Sequence, residues 1–402
     1  MTPRDQGPMP SETADDSFEH AAALQTARRF DEAIAIYERL AAKVLTVNTA
    51  INLGVCHATL GNWPSAEHYL ALASRHRPTD GIIRRLLGNV HAEAGRTDLA
   101  EREYRAILEV QPDDGEAQLA LGGLCLSLGR YAEGWPLLGA RAALHPDVVP
   151  RLNLPYPEWL GEPLDGKSVL VWVEQGFGDQ IQMSRFVNTL KARGAARVTL
   201  GSRPQLAHLF STLAGVDEIV PVAVNGSASV GPHDYWSHCF SLPEHLGITL
   251  ETLPRQPYLS VPADRRDRWA DGPGGAGGVG LVWQASRTGF NATNKGLPRE
   301  VAQRLLDRGA ISLQPEDTGA ADFADTAAII ARLDLVISID TAVAHLAGAM
   351  GKPCWTLLPF IQCDWRWLRD RGDSPWYPSM RLYRQAQPLD WSQTIDQVLR
   401  DL

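Results

Sequence analysis

Several features are scarce in this chain of 402 residues, and each scarcity removes a class of protein. No run of about 18 apolar residues occurs, so nothing in the sequence reads as a membrane-spanning helix. The opening stretch, MTPRDQGPMPSETADD, holds no apolar core; residues 1–13 read as a disordered lead, not a secretory signal, and a cytoplasmic location is expected. Positive charge is in deficit. With 38 Lys and Arg against 47 Asp and Glu, the net charge is -9 and the pI is near 5.7, which argues against a nucleic-acid surface. The five cysteines (Cys56, Cys125, Cys239, Cys354 and Cys363) form no CxxC pair and no metal-ligand spacing, and an odd, scattered set suits a reducing compartment. Apolar residues are plentiful at 44%, enough for a sizeable core, and the length implies two or three domains.

The first half is repetitive. Gly54, Gly88 and Gly122 are spaced by 34, as are Gly61, Gly95 and Gly129, and as are Pro78, Pro112 and Pro146. Leu53, Leu87 and Leu121 precede the first glycine set, and the small residues Ala66, Ala100 and Gly134 follow where two helices would cross. This is the tetratricopeptide (TPR) period: a helix, a turn at the second glycine, a second helix, and a proline that stops it. Ala21, Phe30, Ala33 and Tyr37 fit an earlier unit without the glycines or the proline, giving about four repeats over residues 14–146. Such a solenoid presents a concave face to a peptide or helix of a partner; a spacer or self-association role is the alternative. Arg84, Arg85, Arg102 and Arg105 either line a groove or form a solvated face.

After Pro146 the pattern changes. Residues 147–167 are rich in proline and read as a connector. Strand signals at 168–173, 197–200, 217–222 and 235–240 then alternate with helical signals at 180–193 and 204–213. The glycine run GPGGAGG at 272–278 reads as a hinge. Alternation restarts with strands at 279–283, 311–313, 335–339, 353–358 and 380–383, and helices at 298–307, 326–333 and 341–350. Two Rossmann-like halves, 168–271 and 279–402, with a ligand cleft between them are expected.

Within the second half, DLVISIDTAVAHLAGAMG at 334–351 passes from an apolar strand straight into a helix. Unpaired first-turn N–H groups and the helix dipole make that junction an anion site. Asp340 ends the strand, Thr341 adds a hydroxyl, and His345 lies one turn further on the same face.

The segments VWVEQGFGDQIQMSRFV, VGLVWQAS, DFADTAAIIARLDLVISIDTAVAHLAGAMGKPCWTLLPF and DWRWLRDRGDSPWYPSMRLYRQ resemble TPR-containing glycosyltransferases. Their catalytic part is similar to the heptosyltransferase family (family 9-like) of GT-B fold. TPR-containing flagellin glycosyltransferases are similar in kind. The resemblance implies an α + α/β chain: an all-helical TPR solenoid followed by a GT-B pair of Rossmann-like domains, acceptor-side first and donor-binding second. It implies a metal-independent enzyme with no cofactor, using a nucleotide-sugar as co-substrate and modifying Ser or Thr hydroxyls of a protein, flagellin being the first candidate. The absence of any Asp-x-Asp triplet agrees with metal independence.

The same resemblance marks residues. In EQGFGD at 174–179, Asp179 corresponds to the family's general base, with Glu174 in reserve; an N-cap role suits Asp179 equally well. Gly176 and Gly178 permit a tight turn and close approach of the acceptor. In the polar loop at 283–298, Lys295 matches the basic residue set against donor phosphates, with Arg287 as alternative and a solvated lysine as the plain reading. Gln314, at a strand end, can hydrogen-bond the nucleotide, and Asp340, Thr341 and His345 complete the donor side, although a lone histidine on such a helix is often a packed core residue. Asp364-Trp365-Arg366-Trp367 and Trp376-Tyr377 either stack on a ligand or pack beneath a loop. The family carries Gly after Asp-Ser/Thr; here the residue is Ala342, which sets this chain apart from the heptose-lipid reaction. A small-molecule or lipid transferase with a TPR assembly domain, and an inactive TPR adaptor, are the rival readings.

Overall fold

The computed structural model describes residues 17–223, 226, 228–272, 277–286 and 291–402. Its contacts divide the chain into two compact units, with the break after Ala120.

The first unit consists of antiparallel helix pairs: α1 (Phe18–Thr26) with α2 (Phe30–Lys43), α3 (Val47–Thr59) with α4 (Trp63–His76), and α5 (Gly81–Glu93) with α6 (Thr97–Leu108). Helix α7 (Gly115–Ser127) begins a fourth pair. The glycine at each repeat's turn is left-handed, φ 75° at both Gly61 and Gly95, as the spacing requires. In the first repeat, Arg28 takes that conformation at φ 61°. The other glycine set admits close helix crossing: a Cβ on Gly54 would lie 2.5 Å from Leu70 Cγ, and one on Gly88 would lie 2.4 Å from Tyr104 Cε1. A third signal of the same period appears at the helix starts, where Thr46, Asp80 and Asp114 accept hydrogen bonds from first-turn N–H groups of α3, α5 and α7. The four arginines are ion-paired on the helix surface, Arg84 and Arg102 with Glu103, Arg85 with Glu116, and Arg105 with Glu101. That favours the solvated-face reading.

The second unit holds both parallel sheets. Strands β1 (Ser168–Trp172), β2 (Arg197–Ser202), β3 (Glu218–Pro221) and β4 (Tyr235–His238) form one sheet in the order β3-β2-β1-β4. Strands β5 (Val279–Val282), β6 (Ile311–Ser312), β7 (Leu335–Ile339), β8 (Cys354–Leu358) and β9 (Met380–Arg384) form the other in the order β6-β5-β7-β8-β9. Every pairing is parallel. Strand order reverses between β1 and β4 in the first sheet and between β5 and β7 in the second. These are the two points where such sheets receive ligands.

From Leu121 onward the fourth repeat, whose end near 146 agrees with the expected period, lies in this unit. Helix α8 (Tyr131–Leu137) and the short α9 (Arg141–Leu144) pack into the sheet core. Trp135 Nε1 donates to Ile248 O at 2.9 Å, and its ring meets those of Trp365 and Trp376 edge-on. Glycine and proline spacing marks where a repeat ends, but it cannot tell which face of the last repeat is apolar to a neighbour.

The connector is also more than a tether. Leu152, Leu154 and Tyr156 cover the β1 face that carries Leu170 and Trp172. Its backbone pairs with the β4 edge through Trp159 N to Trp236 O at 2.7 Å and Trp236 N to Pro157 O at 3.0 Å. Of the expected hinge, residues 273–276 lie outside the described residues. Gly277 and Gly278, with φ 93° and 89°, tie onto Arg332 and Asp334 beside β7.

Between the sheets' strands run α10 (Phe177–Met183), α11 (Phe186–Ala192), α12 (Pro204–Phe210), α13 (Leu242–His245), α14 (Ala263–Arg268), α15 (Ala292–Lys295), α16 (Arg299–Leu306), α17 (Pro315–Thr318), α18 (Phe323–Arg332), α19 (Ala342–Ala349) and the C-terminal α20 (Ser392–Asp401). The helix expected over 180–193 is therefore two helices, α10 and α11, meeting at Arg185. Arg185 is 2% exposed and has no carboxylate partner among the described residues. Its guanidinium donates to the carbonyls of Gln182, Pro254 and Trp376 and lies over the rings of Tyr258, Trp376 and Tyr377. It thereby fastens α10–α11 to the second sheet's C-terminal segment.

Candidate functional site

Two strand-to-helix junctions meet in the second unit. Strand β1 hands over to α10 and β7 to α19, and the two helices pack directly on each other. Gly178 permits this: a Cβ there would lie 2.9 Å from His345 Cδ2 and 3.3 Å from Ala342 Cα. The close approach expected of an acceptor at this glycine is made by the other half's helix. Nor does either glycine carry the tight turn. Gly176 has φ -82°, and the left-handed residue is Gln175 at φ 62°.

Asp179 has two partners. Its Oδ2 accepts from Gly176 N–H at 2.9 Å, closing the α10 N-terminus, and its Oδ1 accepts from Arg366 Nη2 at 2.5 Å. Asp179 is therefore not the N-cap residue, which is Gly176; from the third helical position it bonds back to the N-cap N–H and adds an ion pair that the sequence did not suggest. The side chain stays 24% exposed. Burial pushes the Asp179 carboxyl above its ordinary range; Arg366 and the Gly176 N–H pull it down, Asp364 and Asp340 push it further up, and the net direction is upward. A carboxyl moved toward neutral pH is better matched to taking a proton from a hydroxyl.

Glu174 is not available as a reserve base. It is 2% exposed, and both its oxygens are engaged. Arg141 of α9 grips it in a fork at 2.9 and 3.0 Å, and Phe240 N–H donates to it at 2.8 Å. A carboxylate so bound has no open face toward an acceptor. Its work is to fasten the last repeat to the carboxyl end of β1, at the reversal point of the first sheet.

Of the residues expected to face a donor, Lys295 Nζ lies 3.0 Å from Asp340 Oδ2, an ion pair by distance though not aligned as a hydrogen bond. Lys295 follows β5 and Asp340 ends β7, so the pair sits at the reversal point of the second sheet. Thr341 is the N-cap residue of α19, but its hydroxyl lies 3.2 Å from Ser338 Oγ and does not cap the helix. Gln314, two residues past β6 and the N-cap of α17, is 6% exposed, and its Oε1 is buried with no hydrogen-bond partner among the described residues. Trp283 Nε1, at the end of β5, is likewise buried and unpartnered. Buried polar atoms are rarely left so. Arg287 lies outside the described residues.

His345 is enclosed. Its ring stacks on Trp367 with centroids 5.3 Å apart, and Nδ1 is 2.9 Å from Tyr377 Oη. Burial first, then the neighbouring Arg366 charge, push its imidazole well below the ordinary range, so it is neutral at physiological pH. This is the packed-histidine geometry, with the ring supporting the first turn of α19 from behind.

The residue that sequence reasoning passed over is Arg366, treated only as part of an aromatic-rich stretch. It is 6% exposed and held at every nitrogen: Nε donates to Gln182 Oε1, Nη1 to Asp364 Oδ2 at 2.7 Å and Nη2 to Asp179. Its guanidinium lies 4.6 Å from the Trp365 ring centroid and 5.4 Å from that of Phe240. A buried arginine between tryptophans is the signal that could have marked it, since a buried charge requires a partner.

Residues 18–81 and 85–147 match the tetratricopeptide repeat family, and residues 300–358 match glycosyltransferase family 9 (heptosyltransferase). The chain thus carries matches to TPR repeats in its N-terminal part and to the glycosyltransferase family 9 model over part of its second sheet region. It is 28% identical over 364 residues to a protein of Caulobacter vibrioides named Protein FlbA, an alignment that covers 78% of this chain. The chain spans 59% of the length of that curated relative. Among solved structures, a glycosyl transferase family 9 protein from Veillonella parvula is 14% identical, covering 61% of this chain and 92% of that one, with a TM-score of 0.41. YrrB, described as a TPR protein with an unusual peptide-binding site, is 21% identical over 32% of this chain and 66% of its own, with a TM-score of 0.29.

Proposed function

We propose that this chain is a metal-independent glycosyltransferase that moves a sugar from a nucleotide-sugar to Ser or Thr hydroxyls of a protein held by the TPR repeats. Asp179 accepts the hydroxyl proton, the acceptor oxygen bonds to the anomeric carbon, and the nucleoside diphosphate leaves. The α19 N-terminus, Thr341 and Lys295 face the leaving diphosphate and stabilise its charge. Gln314 bonds the nucleotide, Asp340 orients Lys295, and His345 holds the α19 turn in place. What carries this reading is the meeting of the two junctions, a carboxylate on one sheet against an uncapped helix N-terminus and a lysine on the other. The two buried unpartnered polar groups just after β5 and β6 support a ligand on the donor side. The TPR match supports a protein partner, and the flagellin of the same organism is the first acceptor to try.

The test uses the full chain. UDP, GDP, ADP, CDP and dTDP are screened for a rise in melting temperature; a ligand at 100 times its Kd adds about 2.7 kcal/mol. The matching nucleotide-sugars are then assayed for release with and without flagellin. Sugar found on Ser or Thr of the acceptor supports the proposal. Transfer to small molecules alone indicates a small-molecule or lipid transferase, and no binding by any nucleotide leaves a TPR adaptor.

A further inference from the structure

Arg366 connects groups that belong to different parts of the site. Its backbone lies in the turn after β8, in the second half of the unit, yet two of its three side-chain contacts, Gln182 and Asp179, are on α10 in the first half. Asp364, two residues before it, is the third contact. Directly paired around this point are three carboxylates, Asp179, Asp364 and Asp340, and two cations, Arg366 and Lys295. A diphosphate arriving beside Lys295 meets more negative than positive charge in that set. It therefore needs a cation that can leave its present partner. Arg366 is paired with two carboxylates, and one of them, Asp179, is more exposed than the other, Asp364. The grip of Asp364 and Gln182 on Nη1 and Nε fixes the plane of the guanidinium, and Nη2 carries two N–H groups where Asp179 Oδ1 accepts.

We propose that Arg366 is shared between Asp179 and the donor diphosphate: before the donor binds it neutralises the carboxylate, and once the phosphates are in place its Nη2 N–H groups bond to them and leave Asp179 a less restrained base. This rests on the donor reading given above. The base is then strengthened only when the group to be transferred is present, which suppresses proton abstraction without a donor. The reaction balances as before. The hydroxyl proton goes to Asp179, the anomeric C–O bond to phosphate breaks as the bond to the acceptor forms, and the diphosphate departs with its electron pair beside Arg366 and Lys295.

The groups facing Asp179 are few. From the turn after β8 come Asp364 and Arg366; from the β7–α19 junction Asp340 with Lys295, and the neutral His345; from the end of β4, Cys239; and at the far end of its own loop the Glu174–Arg141 pair. Once the guanidinium charge is shared with the phosphates, the neighbours Asp364 and Asp340 both favour the protonated carboxyl. Diphosphate binding on the acid side of neutrality should therefore take a proton from the buffer.

The experiment is titration calorimetry of the full chain with the nucleoside diphosphate that gives the largest melting shift, in two buffers of equal pH and different ionisation heat, between pH 5 and 8. Uptake approaching one proton per ligand near pH 6, with affinity tightening by up to about tenfold per unit fall in pH across that window, is expected. Asp179→Asn, nearly isosteric, should abolish the uptake while keeping binding. Arg366→Met, used only if its melting curve remains cooperative, should weaken binding about tenfold to a hundredfold, as loss of a charge-assisted hydrogen bond does. Binding without proton uptake, or with equal uptake in Asp179→Asn, overturns the sharing and leaves the donor site standing. Failure of every diphosphate, and of inorganic pyrophosphate, to bind overturns the donor site and the sharing together.

Discussion

The two strand-to-helix junctions have the same local architecture and opposite electrostatics. At β1–α10 the helix N-terminus is closed by its own third residue, Asp179, and the strand end is closed by the Glu174–Arg141 fork. At β7–α19 the N-cap hydroxyl of Thr341 is turned toward Ser338, and no side chain caps the helix among the described residues. The first junction brings a carboxylate that bonds back to the N-cap N–H of Gly176. The second keeps its donors open and sets Lys295 beside them. A single fold element thus presents a carboxylate on one sheet and open helix donors beside a lysine on the other.

The largest difference should appear at the strand ends. Glu174→Ala leaves Arg141 buried without its carboxylate and should cost about 3–5 kcal/mol in urea unfolding. Asp340→Ala, at the equivalent position of the second sheet, removes a single ion contact and should cost clearly less. Equal losses would erase the distinction between a structural and a ligand-facing carboxylate. Next is Asp179→Asn, expected to lower turnover by roughly 10²-fold or more with nucleotide binding retained. Its stability has a definite sign. Because the folded carboxyl is raised, folding favours the protonated form, and that contribution is lost as pH rises through the folded value. The variant should therefore be no less stable than the parent at pH 7–8, with the two converging below about pH 4. A marked loss of stability at pH 7 would return Asp179 to a purely capping role.

Gly178→Ala probes the seam between the junctions. The added methyl meets His345 and the α19 backbone, and overpacking of this kind costs about 1–3 kcal/mol. A neutral result in thermal unfolding would mean that α10 and α19 separate without penalty.

A smaller effect concerns pH. His345 is held neutral in the fold, so its contribution is complete above the ordinary value near 6.5 and is lost as pH falls from there toward the depressed folded value. Each such group gives a slope of at most about 1.4 kcal/mol per pH unit. His57 and His91, desolvated in the first unit, act in the same direction. His345→Gln should flatten the acid side of the stability profile by one group's share, while leaving that of the other two. Thr341→Ala is expected to have the smallest effect, trimming about 0.5–1.5 kcal/mol from the nucleotide-induced stabilisation without altering the unliganded protein.

What the sequence determined by itself is what short-range pattern encodes. The 34-residue spacing of turn glycines, crossing glycines and prolines specifies the helix pairs, because each repeat is the same local problem solved again. Apolar runs of strand length followed by amphipathic stretches specify the nine parallel strands nearly to the residue, and the strand-to-helix junction at Asp340–Thr341 was legible for the same reason. The tertiary structure decided what each charge does. Glu174 and Asp179 are five residues apart in one motif, yet one is sealed by Arg141 and the other stays partly open, because Arg141 arrives from 33 residues upstream and Arg366 from 187 downstream. The last repeat joins the unit of the two sheets for a similar reason: its turn signals are those of the other repeats, and the docking of Trp135 and Tyr131 against Trp365 and Trp376 distinguishes it. Burial, and the partner a buried charge must find, are properties of the folded neighbourhood, and no spacing along the chain encodes them.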